Sequence, residues 1–432
     1  MISVAQGTFS GERALPSPGE RTRKKLLIVL PFVPHPLRGS GGTIRYVPII
    51  EHLSRHYEVD IIVLAKGSCN PGDIEAARAR FRNLKTVDCS RYADAGIVTK
   101  GAYYLYSKLP WSAPHRYVTY GWRKLVRQIA RDHGDRTYDC LVWVGADYAE
   151  YMADVQQSIK AARSIIDLID SPSLFRAREC SKTGEGSLSM KYDTWKIRRW
   201  EGKLIRQSDA TIYISAVDAA TVPEELGPLA GRHVIPNGIT SQAYSKATRP
   251  DIPSPNIGFL GHMGYSPNVD AVRWLYENVF VPARQTHPDL SLVVIGRNPA
   301  DSVRELGRHP GVTVTGPVDD VWPYINSIDV FVFPLQFGAG MKNKILEAMF
   351  ARKPVLTTRI GNEGIDGVAG RDLLICETAE EFRRNAMGLL GQPEERRRIG
   401  ASAHEFVVGN YSWGGILERY DGLIEGEGQA AS

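Results

Sequence analysis

Short apolar runs recur along the chain, separated by stretches with helical spacing. LLIVLPFV (26–33) comes first, followed by a Gly-rich turn at Gly39-Ser40-Gly41-Gly42 and a helical pattern through Leu53. VDIIVLA (59–65), CLVWVGA (140–146), SIIDLID (164–170), ATIYISA (210–216) and RHVIPNG (232–238) follow. Runs this short and apolar predict strands buried on both faces. Their alternation with helices predicts a parallel sheet covered on both sides. The pattern restarts after Asn237-Gly238. Residues 241–255 carry three prolines and read as a linker. NIGFLGHM (256–263), LSLVVIGR (290–297), VTVTGPV (312–318), DVFVFPL (329–335) and KPVLTTR (353–359) then predict a second sheet. The expected fold class is α/β: two Rossmann-like, doubly wound parallel-sheet domains facing a cleft. The carboxyl ends of the strands would line that cleft, where open α/β sheets bind ligands.

Composition narrows the classes of partner. The 432 residues suit two domains, and 43% hydrophobic with 23% charged residues is ordinary for a globular protein. A net charge of +5 favours anionic partners such as nucleotides, phosphates or an anionic membrane surface. No dense Lys/Arg block interleaved with aromatics occurs, so nucleic acid is not an expected partner. Cys69, Cys89, Cys140, Cys180 and Cys376 are scattered and form no C-x-x-C pair. A disulfide framework or zinc site is therefore not expected, and a reducing compartment fits. The basic residues before LLIVLPFV look superficially like a signal peptide. The apolar stretch is short, contains Pro31 and lacks a small-residue cleavage site, so it is read as the first strand. No apolar run reaches the ~18–20 residues of a membrane span. The expected location is cytoplasmic, or peripheral on the inner face of the cell membrane. Residues 1–22, rich in Gly, Ser and Pro, are expected to be disordered.

The stretch with the most chemistry is FGAGMKNKILEAMFARKP (337–354). Gly338 and Gly340 permit close backbone approach. The spacing predicts a helix that begins near Met341 and stops by Lys353, because Pro354 disfavours the helical conformation at the residue before it. Its first N–H groups lack internal partners and suit an anion such as a diphosphate. Asn343, Lys344 and Glu347 share one face, and Ile345, Leu346 and Met349 belong on the buried side. The polar face thus offers a cation for phosphate and, a turn on, a carboxylate for a ribose diol. Such a cation stabilises a departing diphosphate without metal. On spacing alone, an amphipathic helix with a solvated Lys–Glu pair fits as well. Neither a Walker A loop nor a G-x-G-x-x-G after the first strand is present.

This helix resembles the signature of group 1 (family 4, retaining) glycosyltransferases of the GT-B fold, in their bacterial exopolysaccharide and lipopolysaccharide branch. GFLGHMGYSPNVDAVRWL resembles the first strand and loop of that family's donor domain, and VVIGRNP with VTVTGPVDDVWPYI its base-binding turn. KPVLTTRIGNEGI follows the signature helix, IPNGI resembles the interdomain hinge, and NYSWGGILERY resembles the helix that crosses back. The resemblance runs over residues 26–425, dense in the second half and thin in the first. It implies an acceptor-binding domain of 23–236 plus 412–432 and a nucleotide-sugar-binding domain of 237–411. It implies sugar transfer, with retention, from a UDP- or GDP-sugar donor to a polysaccharide or lipid-linked glycan acceptor. No metal or other cofactor is implied, and the chain has no D-x-D motif.

Residue by residue, the resemblance gives Glu347 the donor ribose, as the second Glu of the E-x7-E pattern. Ala339 stands where the first Glu would fall, leaving the partner of the sugar hydroxyls open. Gly340 and Met341 would turn N–H groups to the diphosphate, with Lys344 the best-placed cation and Lys342 the next. Val318, after Gly316-Pro317, would lie against the base. Arg297 would contact phosphate or base, or be a solvated strand-end residue. His262 and Gly264 occupy the loop facing the diphosphate. Gly41 and Gly42 match a loop closing over a donor or acceptor phosphate, or simply form a tight strand–helix turn. Ile169 stands where relatives carry the His of a His-Asp pair. Asp170 is the implied polar group near the acceptor, as orienting residue or base, unless it is a helix cap; Asp167 reads as structural. The catalytic set implied is Asp170, Lys344 and Glu347.

Two basic stretches bear on the acceptor. One carries Arg123, Lys124, Arg127 and Arg131; the other carries Lys196, Arg199, Lys203 and Arg206 beside Trp195 and Trp200. They would dock on anionic lipid headgroups, or be solvated faces over ordinary core aromatics. Two rival functions stand beside transfer. A UDP-sugar 2-epimerase on the same fold would need acid/base carboxylates and histidines that the sequence does not single out. A non-catalytic nucleotide-sugar-binding homologue is raised by Ala339 and Ile169.

Overall fold

The computed structural model describes residues 23–35, 41–65, 69–89, 97–109, 112–114, 122–182, 188–239 and 250–426. Residues 1–22, Gly39, Ser40 and positions 241–249 of the linker lie outside the described residues. Strands β1 (Lys25–Leu30), β2 (Glu58–Ala65), β3 (Leu84–Asp88), β4 (Tyr138–Val144), β5 (Ala161–Ile169), β6 (Ala210–Tyr213) and β7 (Arg232–Val234) form one sheet. Its order is β3-β2-β1-β4-β5-β6-β7. The second sheet holds β8 (Asn256–Leu260), β9 (Ser291–Ile295), β10 (Val312–Val314), β11 (Val330–Phe333), β12 (Val355–Thr357) and β13 (Leu374–Ile375). Its order is β10-β9-β8-β11-β12-β13. Every pairing is parallel. Strand order reverses between β1 and β4 in one sheet and between β8 and β11 in the other, which opens a crevice at the carboxyl ends.

The continuous apolar runs follow from burial on both faces. In β1, Leu26, Ile28 and Leu30 enter one core while Leu27 and Val29 enter another across the sheet. Two strands were not anticipated: β3, buried only at Leu84 and Val87, and β13, only two residues long. Both are edge strands, with less surface to bury and so a weaker apolar signal. Conversely, Phe32 and Val33 do not extend β1, because Pro31 supplies no N–H. Gly41 and Gly42 do not form a loop. They open the helix Gly41–His56, and Gly42 packs on Phe32, whose ring any Cβ there would strike.

The final helix, Trp413–Glu425, returns to the first domain, burying Ile416, Tyr420, Leu423 and Ile424 in the core that holds Leu26 and Ile50. The two crossing segments run side by side, Ile239 N donating to Tyr411 O at 2.7 Å. No described helix is long and apolar enough to cross a membrane. The second basic stretch lies on the helix Leu188–Gln207, but not as a uniform exposed face. Lys196 and Trp200 are buried, and Lys203 lies 3.6 Å from Glu150; Arg199 and Arg206 are exposed.

One buried polar network ties these parts together. Arg45, fully buried, meets Asp167 through Nε (3.0 Å) and Nη2 (2.9 Å). It also donates to Asn237 Oδ1 at 2.9 Å, Pro236 O at 3.1 Å and Tyr420 Oη at 2.7 Å. Burial works against the guanidinium charge, but Asp167 with Tyr420 and Tyr46 raises the Arg45 pKa above its ordinary value. Tyr46 and Tyr420 both donate to Asp167 Oδ2. Removing one member of a buried pair leaves the other charge uncompensated, at about 3–5 kcal/mol. Asp167→Ala should therefore destabilise the first domain by about that amount in urea unfolding, and the Arg45→Met/Asp167→Leu double variant by less than the sum of its parts. A loss under about 1 kcal/mol for Asp167→Ala, the range of an exposed pair, would contradict this assignment.

Candidate functional site

The turn after β5 is fixed residue by residue. Asp167 Oδ1 accepts the Ile169 N–H at 2.9 Å, and Ile169 sits at φ 65°. A β-branched residue in the left-handed region is strained, so surrounding structure must hold it there. Two residues on, Ser171 N donates to Asp218 Oδ1 at 2.8 Å, and Ser171 Oγ (3.1 Å) and Ser173 N (3.0 Å) donate to Glu201 Oε2. Glu201 thereby caps the helix Pro172–Lys182. Asp170, between these pinned neighbours, faces a cavity of about 240 Å³ at the carboxyl ends of β4 and β5, shared with Asp147, Ser171 and Phe175. Desolvation, with Asp218 adding to it against Lys342 and Arg45, pushes the Asp170 carboxyl up to about 7. Solvent reaches it through the cavity and screens part of that effect. A carboxyl near neutrality can hold or accept a hydroxyl proton.

Opposite stands the Gly-rich loop after β11. Gly338 (φ 131°) and Gly340 (φ 70°) keep its backbone out of helical space. Lys342 is still non-helical at φ −98°, ψ 82°. The helix therefore runs from Asn343 to Phe350, later than the expected start at Met341, and Arg352 at φ 59° follows it before Pro354. Gly340 lies directly against Asp170, whose carboxylate any Cβ at 340 would overlap. The first domain's acid and the second domain's loop are thus in contact. Lys342 does not project as a second free cation. Its Nζ folds back onto the carbonyls of Ala339 and Gly340, and burial lowers its pKa against the pull of Asp170. The Met341 side chain is core. From the other domain, Arg178 donates to Gly338 O at 2.7 Å and pairs with Glu363 at 2.6 Å.

On the helix itself, Lys344 donates to Asn268 Oδ1, and its ammonium lies 5.0 Å from the Phe259 ring centroid and 5.9 Å from that of Phe333. Burial, then the nearby Lys342, lowers it to about 7. The Glu347 carboxyl has no hydrogen bond or ion pair among the described residues, and burial alone pushes it up to about 7. Asn268 in turn donates to His262 O at 2.9 Å. His262 Nε2 lies 3.1 Å from Asn298 Nδ2, and burial followed by Arg297 lowers its pKa. Gly264 packs on the His262 ring. Met263 N donates to Arg297 O at 2.9 Å, so the loops after β8 and β9 are zipped together. The structure thus gathers Asp170, Gly340 and Lys342 in one group and Lys344, His262, Gly264 and Arg297 in a second, with Glu347 one turn along the helix. No hydrogen bond among the described residues ties Val318 or Gly42 to either group; Val318 lies partly buried beyond β10.

Sequence reasoning missed several participants. Asn268 sits inside the GYSPNVDAV stretch and Asn237 inside IPNG, so both were within reach. Asn237 Nδ2 donates to Asn343 Oδ1 at 2.6 Å, joining the hinge to the start of the helix. Phe175 and Tyr265 stack across the cleft, with centroids 6.3 Å apart. Arg178 is an unremarkable basic residue on a polar helix and carries no sequence signal.

Two parallel α/β domains facing each other across strand ends, with a chain that crosses back, define the GT-B fold. Residues 254–392, within the second domain, match the family model described as Glycosyl transferases group 1. An uncharacterized 44.6 kDa protein in the cps region of Klebsiella pneumoniae is 24% identical over 185 residues, 41% of this chain. The chain spans about half (48%) of that relative's length. HepE of Anabaena, solved in complex with UDP and glucose, superimposes with a TM-score of 0.63 at 14% identity, over 93% of this chain and 100% of its own. TarM superimposes with a TM-score of 0.69 at 12% identity, over 93% and 99%.

Glu347 gives a pH signature. Its carboxyl titrates near 7 in the folded protein against 4.5 ordinarily, so the stability it contributes is full below about pH 4.5 and is lost as pH rises through about 7. Glu347→Gln cannot titrate. In urea unfolding the parent should lose stability relative to this variant from about pH 5 to pH 8. A difference that stays constant with pH would show that Glu347 is not desolvated.

Proposed function

We propose that this protein is a glycosyltransferase that moves a sugar, with retention, from a UDP- or GDP-sugar to a hydroxyl of a polysaccharide or lipid-linked oligosaccharide, without a metal ion or other cofactor. The observation that carries this reading is the contact between Asp170, at the mouth of the first-domain cavity, and Gly340, in the loop ahead of the Asn343–Phe350 helix. An acid facing a cavity there meets a loop suited to a diphosphate. The group 1 match over the second domain and the UDP bound in HepE support the choice of donor.

In this reading the diphosphate lies against the backbone N–H groups of Gly340 and Met341 and the helix start, where unpaired N–H groups favour anions. Lys344 stands ready beneath it. Its pKa near 7 reflects burial without a counter-charge, and an arriving diphosphate restores the protonated form. The ammonium then stabilises charge as the diphosphate departs. Glu347, whose carboxyl has no hydrogen bond among the described residues, accepts from the ribose diol. His262 and Arg297 flank the diphosphate, and Val318 meets the base. Asp170 orients the acceptor hydroxyl, which attacks from the face the diphosphate leaves.

The direct test is a thermal-shift screen of UDP, GDP, ADP and dTDP at millimolar concentration. UDP or GDP should raise the melting temperature, and Lys344→Met or Glu347→Gln should weaken binding about tenfold or more, the worth of one charged hydrogen bond. Stabilisation by none of the four would refute the donor site. Incubation with UDP-sugar separates the rivals: release of free sugar without an acceptor would indicate 2-epimerase-like chemistry, and nucleotide binding with no turnover a non-catalytic homologue.

A further inference from the structure

In the first domain, the helices Ile97–Tyr106 and Leu188–Gln207 expose a patch that the described residues leave uncovered. Leu105 is 68% exposed, Leu188 86%, Tyr104 49% and Trp195 43%, with Leu109 and Tyr192 beside them. A patch this rich in large apolar groups marks an interaction surface. Leu188, Tyr192, Trp195 and Arg199 follow one another at helical spacing, so they share a face. The two segments form one platform. Tyr192 Oη donates to Lys108 O at 2.7 Å, and the buried Lys196 donates to Ser107 O and, at 2.8 Å, to Ser112 Oγ.

The rim is basic. Lys108, Lys191 and Arg199 are exposed. Lys108 Nζ lies 4.9 Å from the Tyr104 ring centroid, and the Arg199 guanidinium 5.2 Å from that of Trp195. Asp193, the acid on this stretch of helix, is taken up by Arg176 at 3.2 Å. Leucine and amphipathic aromatics ringed by Lys and Arg match a bilayer interface, where the rings sit at headgroup depth and the cations meet lipid phosphates. A second copy fits less well, because a two-fold contact through this face would set the same cations against each other.

We propose that this patch docks the protein on an anionic lipid bilayer, with Leu105, Leu188, Tyr192 and Trp195 inserting and Lys108, Lys191 and Arg199 contacting headgroups. Arg176, which holds Asp193, lies on the same helix as Phe175 at the cavity, so one helix touches both the docking helix and the cavity. Use of that link by a lipid-linked acceptor rests on the transferase reading; the docking itself does not.

Co-sedimentation of the full chain with phosphatidylcholine vesicles, with and without phosphatidylglycerol, tests this. Binding should need the anionic lipid, fall at high salt, and weaken about tenfold or more in Lys108→Glu/Lys191→Glu and in Leu105→Ser/Trp195→Ser. UDP titration of each variant reports separately on the donor site and should be unchanged. Brominated acyl chains should quench tryptophan fluorescence in the parent and markedly less in Trp195→Phe, a readout that does not depend on the serine variants folding. Binding that is equal in parent and variants, or absent from anionic vesicles, would overturn the proposal. So would a concentration-dependent dimer that these substitutions abolish, which would give the face to a second copy.

Discussion

Asp167 carries its charge in the interior of the first domain, and Arg45 lies against it. Placing either alone there would cost several kcal/mol, so each requires the other. What hangs on the pair is geometry. One Asp167 oxygen takes Arg45, Tyr46 and Tyr420, and the other holds the Ile169 N–H. That last bond sustains a left-handed β-branched residue, a strain of order 1–3 kcal/mol. Ile169 in turn sets the direction in which Asp170 leaves the strand. Arg45 meanwhile reaches Asn237 in the hinge, and Asn237 reaches Asn343 at the helix start. A single buried ion pair thus fixes an acidic side chain on one side of the cleft and a helix on the other.

The site itself is built from groups kept away from their comfortable ionisation states. Asp170 and Glu347 are pushed up and Lys344 is pushed down, each chiefly by desolvation. Holding these groups so is a cost to folding, and groups perturbed in this way cluster at functional sites. Preorganisation of this kind works because the groups need not rearrange when charge arrives. The aromatic floor under Lys344 matters for the same reason: Phe259 and Phe333 exclude water yet tolerate a cation over their faces.

The strands and the two-domain division were legible because buried parallel strands must be apolar throughout. The Gly-rich loop and its helix were legible because Gly338, Gly340, Lys344 and Glu347 are close in sequence. Contacts that join distant segments were not. Arg45 looks like one more cation on an amphipathic helix until Asp167, 122 residues away, is placed beside it. Arg178 contacts a carbonyl 160 residues on. The helix start was misjudged by two residues because the left-handed Gly340 is followed by Lys342, whose side chain turns back to hold the loop's carbonyls. Gly41 and Gly42 were misplaced because the need for glycine at 42 comes from the Phe32 ring, across a gap no local pattern reports.

The departure at Ala339 looks different once Asp170 is in place. Ala339 is 8% exposed, and its neighbour Gly340 touches the Asp170 carboxylate. A glutamate at 339 would put a second carboxylate into the same crowded corner. Two acids so close cannot both ionise freely, and neither would keep its partners. Lys342, tied to the loop's own carbonyls, could offset one negative charge but not two. A small residue at 339 and an acid at 170 are therefore mutually consistent on electrostatic grounds. The acidic group next to the loop comes from the opposite domain, so its presence there depends on the two domains being closed against each other. Arg178 on Gly338 and Glu363, Phe175 on Tyr265 and Asn237 on Asn343 are among the contacts that hold that closure, and each joins a residue of the first domain or hinge to one of the second.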